Sequence, residues 1–184
     1  VVLDIPQGDR SLYLVIGTSG GDHPTLAPHA YLAGVLGPKR DRHTVFVAKG
    51  PAGEARMVRA LLDFVGDPAG SCVYLWPGAE QGILTTLAGR HPRLAPRLAA
   101  LAAACVDLKD VVTKRVYFGT RTYGLAEVAA FLGYRPRTPT MDGHEAMTCY
   151  WDWLEGAGKP ALARLEAANA DACRAMAYVH AALD

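Results

Sequence analysis

Residues 43–76, HTVFVAKGPAGEARMVRALLDFVGDPAGSCVYLW, decide the fold of this 184-residue chain. The runs 43–48 and 72–76 are rich in β-branched and aromatic residues, and each predicts a buried strand. Between them, the apolar residues of 54–65 share one face of a helix, with Gly and Pro on both sides. The stretch therefore predicts a strand, a crossover helix and a second strand.

Two further apolar runs precede this unit. Val1–Ile5 and Leu12–Gly17 each predict a strand, and the polar turn at 7–10 favours an antiparallel hairpin. Residues 18–42 are rich in Gly, Pro and His and predict an irregular excursion, with a short strand at Ala30–Val35. The sheet is therefore expected to begin with antiparallel strands.

Helices are expected to dominate the rest of the chain. They are predicted over 79–90 and then at roughly 93–104, 110–116, 124–132, 143–155 and 160–182. The order predicts an α/β fold with a mixed sheet, in which three antiparallel strands precede parallel strands. Helices would flank this sheet and fill the C-terminal half.

Composition and charge are those of an ordinary globular domain, with 51% hydrophobic residues, 20% charged residues and a net charge of +1. This charge indicates no overall basic field, although a local basic groove remains compatible with it. The cysteines are widely spaced without a CxxC pair, which predicts reduced core thiols, a cytoplasmic setting and no zinc site: Cys72, Cys105, Cys149 and Cys173.

The chain as a whole is expected to be one domain, 1–184. It opens without Met directly on a β-run, which predicts a domain cut from a longer multidomain protein. No apolar run approaches the ~20 residues of a membrane span.

Acidic residues in apolar segments are the first candidates for chemistry, because a buried carboxylate is costly unless it is paired or bound to a metal. The candidates are Asp4, Glu80, Asp107 and Asp171. Carboxylates that converge from different elements suit Mg²⁺ or Mn²⁺, and a pair of such ions activates water for phosphodiester hydrolysis. The pattern favours these four as a catalytic set, with Asp4 and Glu80 as metal ligands.

Each of these residues also has a structural interpretation. Asp4 would face solvent at a strand end, and Glu80 would interact with the dipole of its helix. Asp107 would cap the following helix, and Asp171 would lie on a solvated helix face.

Basic and aromatic residues alternate in one segment, in a pattern that suits phosphates and stacked bases. They are Lys114, Arg115, Tyr117, Arg121 and Tyr123. The segment predicts contact with single-stranded DNA or RNA, and the alternative is a solvated amphipathic loop.

Several stretches together resemble one known family. They are VVLDIP (1–6), VYLWPGAEQGILTTL (73–87), VDLKDVV (106–112), RTYGLAEVAAFLGYRPR (121–137) and CYWDWLEGAGKPALARLEAANADACRAM (149–176). The chain resembles the predicted RNase H-like nucleases of the YprB type, a branch of the DnaQ-like DEDD exonucleases. The resemblance implies an RNase H-like, exonuclease-type fold and metal-dependent 3′–5′ exonuclease chemistry.

The family's metal ligands are only partly present in this chain. The family's first strand reads Asp-Ile-Glu, and on 1–6 this pattern keeps Asp4 and replaces the Glu by Pro6. The resemblance keeps a Glu at Glu80 and an Asp-Leu pair at Asp107, but the last ligand becomes Ala172. It therefore implies a catalytically impaired domain of a nucleic-acid-processing protein, accompanied by a helicase or a second nuclease.

Two alternatives stay open. An active exonuclease with a rebuilt site requires the four carboxylates to converge in one cleft, with Mg²⁺ or Mn²⁺ bound. A purely structural scaffold domain predicts that Lys114, Arg115 and Arg121 scatter instead of lining the cleft beside Asp4.

Overall fold

The computed structural model describes residues 3–20, 27–37, 42–77 and 79–184. Within these residues one sheet forms from β1 (Arg10–Thr18), β2 (Ala30–Leu36), β3 (His43–Val47), β4 (Ser71–Leu75) and β5 (Cys105–Asp107). Its order is β3-β2-β1-β4-β5; β2 is antiparallel to β1 and β3, whereas β4 is parallel to β1 and β5. The predicted mixed α/β sheet is confirmed.

Helices flank the sheet and fill the C-terminal half, as predicted. They are α1 (Glu54–Val65), α2 (Ala79–Arg90), α3 (Ala95–Ala103), α4 (Leu108–Thr113), α5 (Leu125–Phe131), α6 (Gly143–Asp152) and α7 (Lys159–Leu183). A π-helical turn at Trp153–Ala157 ends α6, and Gly158, with φ 75°, separates this turn from α7.

The first strand is not where the sequence predicts it. Residues 3–9 form an irregular segment, and the prediction for Val1 and Val2 lies outside the described residues. Leu3 and Ile5 are buried, but they pack into the layer of α4 and α7 instead of pairing in the sheet. The strand and hairpin predictions are therefore wrong for this segment, and β1 is the first strand observed.

β1 lies at the centre of the sheet because both of its faces are apolar. Leu12, Leu14 and Ile16 face the core that contains α1, α2 and α3. Tyr13 and Val15 face the opposite core, which contains α4, α5 and α7. The predicted short strand at Ala30–Val35 is confirmed as β2, the antiparallel neighbour of β1.

The helix α7 is fixed to the sheet through one buried amide. Asn169 Nδ2 donates to the Val15 carbonyl at 3.3 Å, and Asn169 Oδ1 lies 2.9 Å from His43 Nε2. Burial lowers the pKa of His43, which favours the neutral ring in this contact. Gly34 leaves the space for the amide, since a Cβ there would lie 1.6 Å from Asn169 Oδ1. One residue of α7 thus contacts three strands.

A second anchor holds α6 against the sheet. The Tyr150 hydroxyl donates to the Ala48 carbonyl and accepts from the Gly50 N–H, both at 2.9 Å, and it lies 2.9 Å from His29 Nε2. The Tyr150 ring stacks on Tyr31 with centroids 4.4 Å apart. α6 therefore packs on β2 and on the loop that follows β3.

The cysteines are free thiols, as predicted, and only Cys105 is not fully buried. None of the helices in the described ranges combines the length and the hydrophobicity of a membrane span.

Candidate functional site

Glu80 and Asp107 come together at one edge of the sheet. β4 and β5 are parallel neighbours, Asp107 is the last residue of β5, and Glu80 lies in the first turn of the helix after β4. Glu80 is only 6% exposed, and its Oε2 has no hydrogen-bond partner among the described residues. Burial, with a smaller contribution from the Asp107 carboxylate, raises the pKa of Glu80 to about 8. Glu80 is therefore mostly protonated at neutral pH.

Asp107 already has a structural role. It is the N-cap of α4, and its Oδ1 accepts from the Asp110 N–H at 3.0 Å. A capping carboxylate stabilises the exposed N–H groups of a helix start. The predicted helix-cap role of Asp107 is thus confirmed. Asp107 also lies close enough to Glu80 for the two carboxyl groups to interact.

Asp4 and Asp171 lie in two separate cavities. Asp4 is exposed beside α4, and its carbonyl accepts from Arg115 Nη1 at 3.1 Å. Asp171 is 6% exposed on α7, and its Oδ1 accepts from Tyr134 Oη at 2.7 Å and from the Arg137 N–H at 3.2 Å. The two cavities share no lining residue, and neither includes Glu80. The convergence required for a rebuilt four-carboxylate site is not observed.

The oxygen ligands that Glu80 and Asp107 provide at the carboxyl ends of β4 and β5 do not suit a pair of hard divalent ions. Such ions need several oxygen ligands that converge. Among the described residues, no three His, Cys, Asp or Glu side chains come together in a way that could hold a metal. On the face of β1 that α7 covers stand Tyr13 and Val15, neither of which carries a carboxylate. Gly17 follows on the same face, beside the Tyr31 ring of β2, and has no side chain. No metal-dependent step is therefore derived for these residues.

The predicted nucleic-acid-binding residues are only partly assembled. Lys114 and Arg115 line a cavity of about 390 Å³ beside Asp4. Arg121 and Tyr123 do not line it, and the Tyr123 carbonyl accepts from the indole of Trp76 at 3.2 Å. A pure scaffold predicts that these basic residues lie away from the cavity beside Asp4. Arg121 does lie away from it, whereas Lys114 and Arg115 line it.

Tyr117 follows these two basic residues and is 86% exposed. Lys114 is engaged with Asp110 at 2.7 Å across one helical turn. Arg115 is exposed and donates a hydrogen bond to the Asp4 carbonyl, so Arg115 and Tyr117 are an exposed cation and an exposed aromatic ring in the same segment.

Sequence reasoning missed a cavity between α5 and α7 that Asp171 and Thr138 line. Alanines at 168, 172 and 175 share the cavity-facing side of α7. Their helical spacing was the available signal, because small residues three and four positions apart leave a groove on one face.

Comparisons with known proteins agree with this architecture. A family model described as RNase H superfamily (RNase_H_2) matches residues 13–183. A family B DNA polymerase from the hyperthermophilic archaeon Pyrobaculum calidifontis has a similar fold, with a TM-score of 0.61 and 20% identity. The alignment covers 94% of this chain and 24% of the polymerase chain, so this chain spans about a quarter of that protein. No curated protein sequence matches the chain. Because the model spans nearly the whole chain, the protein belongs to the RNase_H_2 family of the RNase H superfamily.

Proposed function

We propose that this chain is a nucleic-acid-binding domain of a larger processing protein, with a nuclease fold that has lost most or all of its metal-dependent cleavage. The observation that carries the proposal is the identity of the residues on β1. This strand presents Tyr13 and Val15, and no carboxylate, toward the covering helix α7, and Gly17 follows them on the same face.

The first-strand pattern of the DEDD-type family, Asp-Ile-Glu, fits β1 better than it fits the start of the chain. In β1, Ile16 is flanked by Val15 and Gly17, and the match to the family model begins at Tyr13. Asp4 lies before this match and outside the sheet. On this alignment both first-strand ligands are lost, instead of the second alone.

The remaining ligand positions are only partly kept. On the resemblance, Ala172 stands where the family has its last Asp, whereas Glu80 and Asp107 keep their carboxylates. Two carboxylates, one of which also caps α4, are fewer oxygen ligands than a pair of divalent ions requires. Water activation by a metal pair is therefore not supported.

The Arg115–Tyr117 segment supports strand binding. An exposed aromatic ring beside a cation suits a base stacked next to a phosphate, and such stacking is worth about 1–3 kcal/mol per base. Lys114 and Arg115 line the neighbouring cavity together with Asp4 and Asp110, so the two cations there are available to a phosphate only beside two carboxylates.

Fluorescence anisotropy with short labelled oligothymidine and oligouridine tests this binding. Tyr117→Ala should weaken binding about tenfold, and Arg115→Gln should weaken it and reduce its salt dependence. Arg59→Gln is the charge-matched control, since Arg59 is exposed on α1 in the opposite layer. Equal affinity of Tyr117→Ala and wild type would refute the proposed surface.

A cleavage assay with Mn²⁺ on the same oligonucleotides tests the loss of hydrolysis. We expect no shortened products from the wild-type protein. Cleavage that disappears in Glu80→Gln would instead establish the alternative, an active exonuclease with a rebuilt site.

A further inference from the structure

The two cations beside Tyr117 are both engaged within the chain itself. Lys114 Nζ lies 2.7 Å from Asp110 Oδ2, one helical turn back along α4. Arg115 Nη1 donates to the Asp4 carbonyl at 3.1 Å. These four residues line the same cavity of about 390 Å³. Two cations and two carboxylates therefore share this cavity, and their formal charges cancel.

The segment that carries Asp4 is fixed in its place beside α4. Its neighbours Leu3 and Ile5 are buried, with 6% and 2% of their surface exposed. The Tyr74 hydroxyl donates to the Pro6 carbonyl at 2.5 Å. Contacts on both sides of Asp4 thus hold its carbonyl next to the arginine, while its carboxylate remains exposed.

The ion pair of Asp110 and Lys114 is exposed and can exchange its partners. The side chains are 52% and 70% exposed, respectively. An exposed ion pair one turn apart on a helix is weak in water, because solvent screens both charges. A phosphate can therefore replace the carboxylate as the partner of the lysine. Until it does, the carboxylate occupies the cation and also repels the phosphate.

We propose that Asp110 and the Asp4 segment form an autoinhibitory contact on the strand-binding surface, an inference that rests on the proposed function. Asp110 holds Lys114, and the Asp4 carbonyl holds Arg115, when no strand is bound. A strand binds by taking the place of these internal partners. The chain's own acidic groups thereby keep the affinity for nucleic acid below that of the two cations alone.

Fluorescence anisotropy with labelled oligothymidine tests the proposal. Asp110→Asn should bind about threefold more tightly than wild type, because it releases Lys114 and removes a repulsive charge. The released cation should also steepen the salt dependence, by about 0.7 in the slope of log K against log salt. Asp63→Asn is the matched control, since it removes the same charge from an exposed ion pair with Arg97, in the opposite layer of the fold.

Lys114 distinguishes a released cation from a general change in net charge. Lys114→Gln should weaken binding about threefold in the Asp110→Asn background and less than that in the wild-type background. The reason is that only the first background leaves the lysine to a phosphate. Equal effects of Lys114→Gln in the two backgrounds would overturn the proposal, and so would an equal rise in affinity in Asp63→Asn.

Thermal unfolding checks that Asp110→Asn is folded, and Asp4→Asn provides a second variant if it is not. Asp4→Asn removes the other carboxylate and keeps the carbonyl, so it should raise the affinity about twofold. Equal affinity of wild type and these variants, with binding that falls in Tyr117→Ala, would leave the proposed function intact and refute this inference. Absence of binding by the wild type and by the folded variants alike would refute both.

Discussion

Gly34 and Asn169 share one space between β2 and α7. The Asn169 amide fills the volume that any other residue at position 34 would need for its Cβ. It also bonds to the Val15 carbonyl, and it lies within hydrogen-bond distance of His43 Nε2. Asn169 belongs to the last motif of the family that the chain resembles. Its structural role, as a contact between α7 and the sheet, is not evident from its position in that motif.

Gly34→Ala should destabilise the fold by about 1–3 kcal/mol, because the new methyl group displaces the amide and overpacks the interface. Urea unfolding measures the change. Gly82→Ala is the control, since nothing lies within 4 Å of its added Cβ. That exposed helical position should gain up to about 1 kcal/mol. Equal stability of Gly34→Ala and wild type would show that the amide can move at no cost.

Glu80→Gln should change how stability depends on pH. Burial raises the pKa of Glu80 from 4.5 to about 8 in the folded protein. The stability associated with the neutral carboxyl is therefore fully present below about pH 4.5 and is lost as the pH rises through 8. Glutamine cannot ionise, so the variant should gain on the order of 3 kcal/mol over wild type above that range. Unfolding by urea across this range measures the difference.

Glu127→Gln provides a control of opposite sign. The Thr122 hydroxyl and N–H donate to the Glu127 carboxylate and hold its pKa below the usual value. The stability that the ionised Glu127 carboxylate contributes is present at neutral pH and is lost on acidification. If the unfolding free energies of Glu80→Gln and wild type changed with pH in the same way, Glu80 would not be a buried carboxyl without a compensating partner.

At the scale of elements, α6 is held by one hydroxyl and one stacked ring. Tyr150 reaches from α6 to Ala48 and Gly50, just after β3, while its ring lies on Tyr31 of β2. The helix α6 therefore depends on the ends of two strands for its position, and also on its own capping box of Asp142 and Glu145.

Tyr150→Phe should cost about 1–3 kcal/mol, because the Ala48 carbonyl and the Gly50 N–H lose their partner while the ring stays in place. Tyr178→Phe is the matched control. Its hydroxyl makes one exposed bond, to the Leu132 carbonyl, so its loss should cost less than about 1 kcal/mol. A smaller effect at position 150 than at position 178 would be inconsistent with the anchoring role.

For the whole molecule, the proposed loss of the metal pair predicts a fold whose stability does not depend on divalent ions. A ligand that binds only the folded state raises the unfolding temperature by mass action. Saturating Mn²⁺ should therefore leave the Tm of the wild-type protein unchanged relative to EDTA-treated protein. A clear Mn²⁺-dependent rise that disappears in Glu80→Gln would demonstrate a metal site at the sheet edge.

The sequence predicted most of the fold because its elements have strong local patterns. The unit at 43–76 combines a β-branched run, an amphipathic face and glycine breaks, and it forms as expected. The strand predicted at the start of the chain is wrong, because Leu3 and Ile5 are buried as strand residues would be but pack on helices. Composition alone does not separate these two kinds of burial.

The candidate site was less predictable for a different reason. A carboxylate in an apolar run predicts a ligand at Asp4, whereas β1 gives no such signal because Val15 and Gly17 carry no carboxylate. Asp171 is predicted as an acidic residue within an apolar helix, but its cavity depends on Thr138 and on the path of residues 134–141. That path is a tertiary feature, and no periodicity encodes it.

The bond between Asn169 and Val15 spans 154 positions of sequence, and this has a consequence for synthesis. At about 5–20 residues per second, a ribosome needs roughly 8–30 s to make that interval. During this time the nascent β1 presents Tyr13 and Val15 without the helix that will cover them. This stretch of the emerging chain is where a holdase chaperone would find its target.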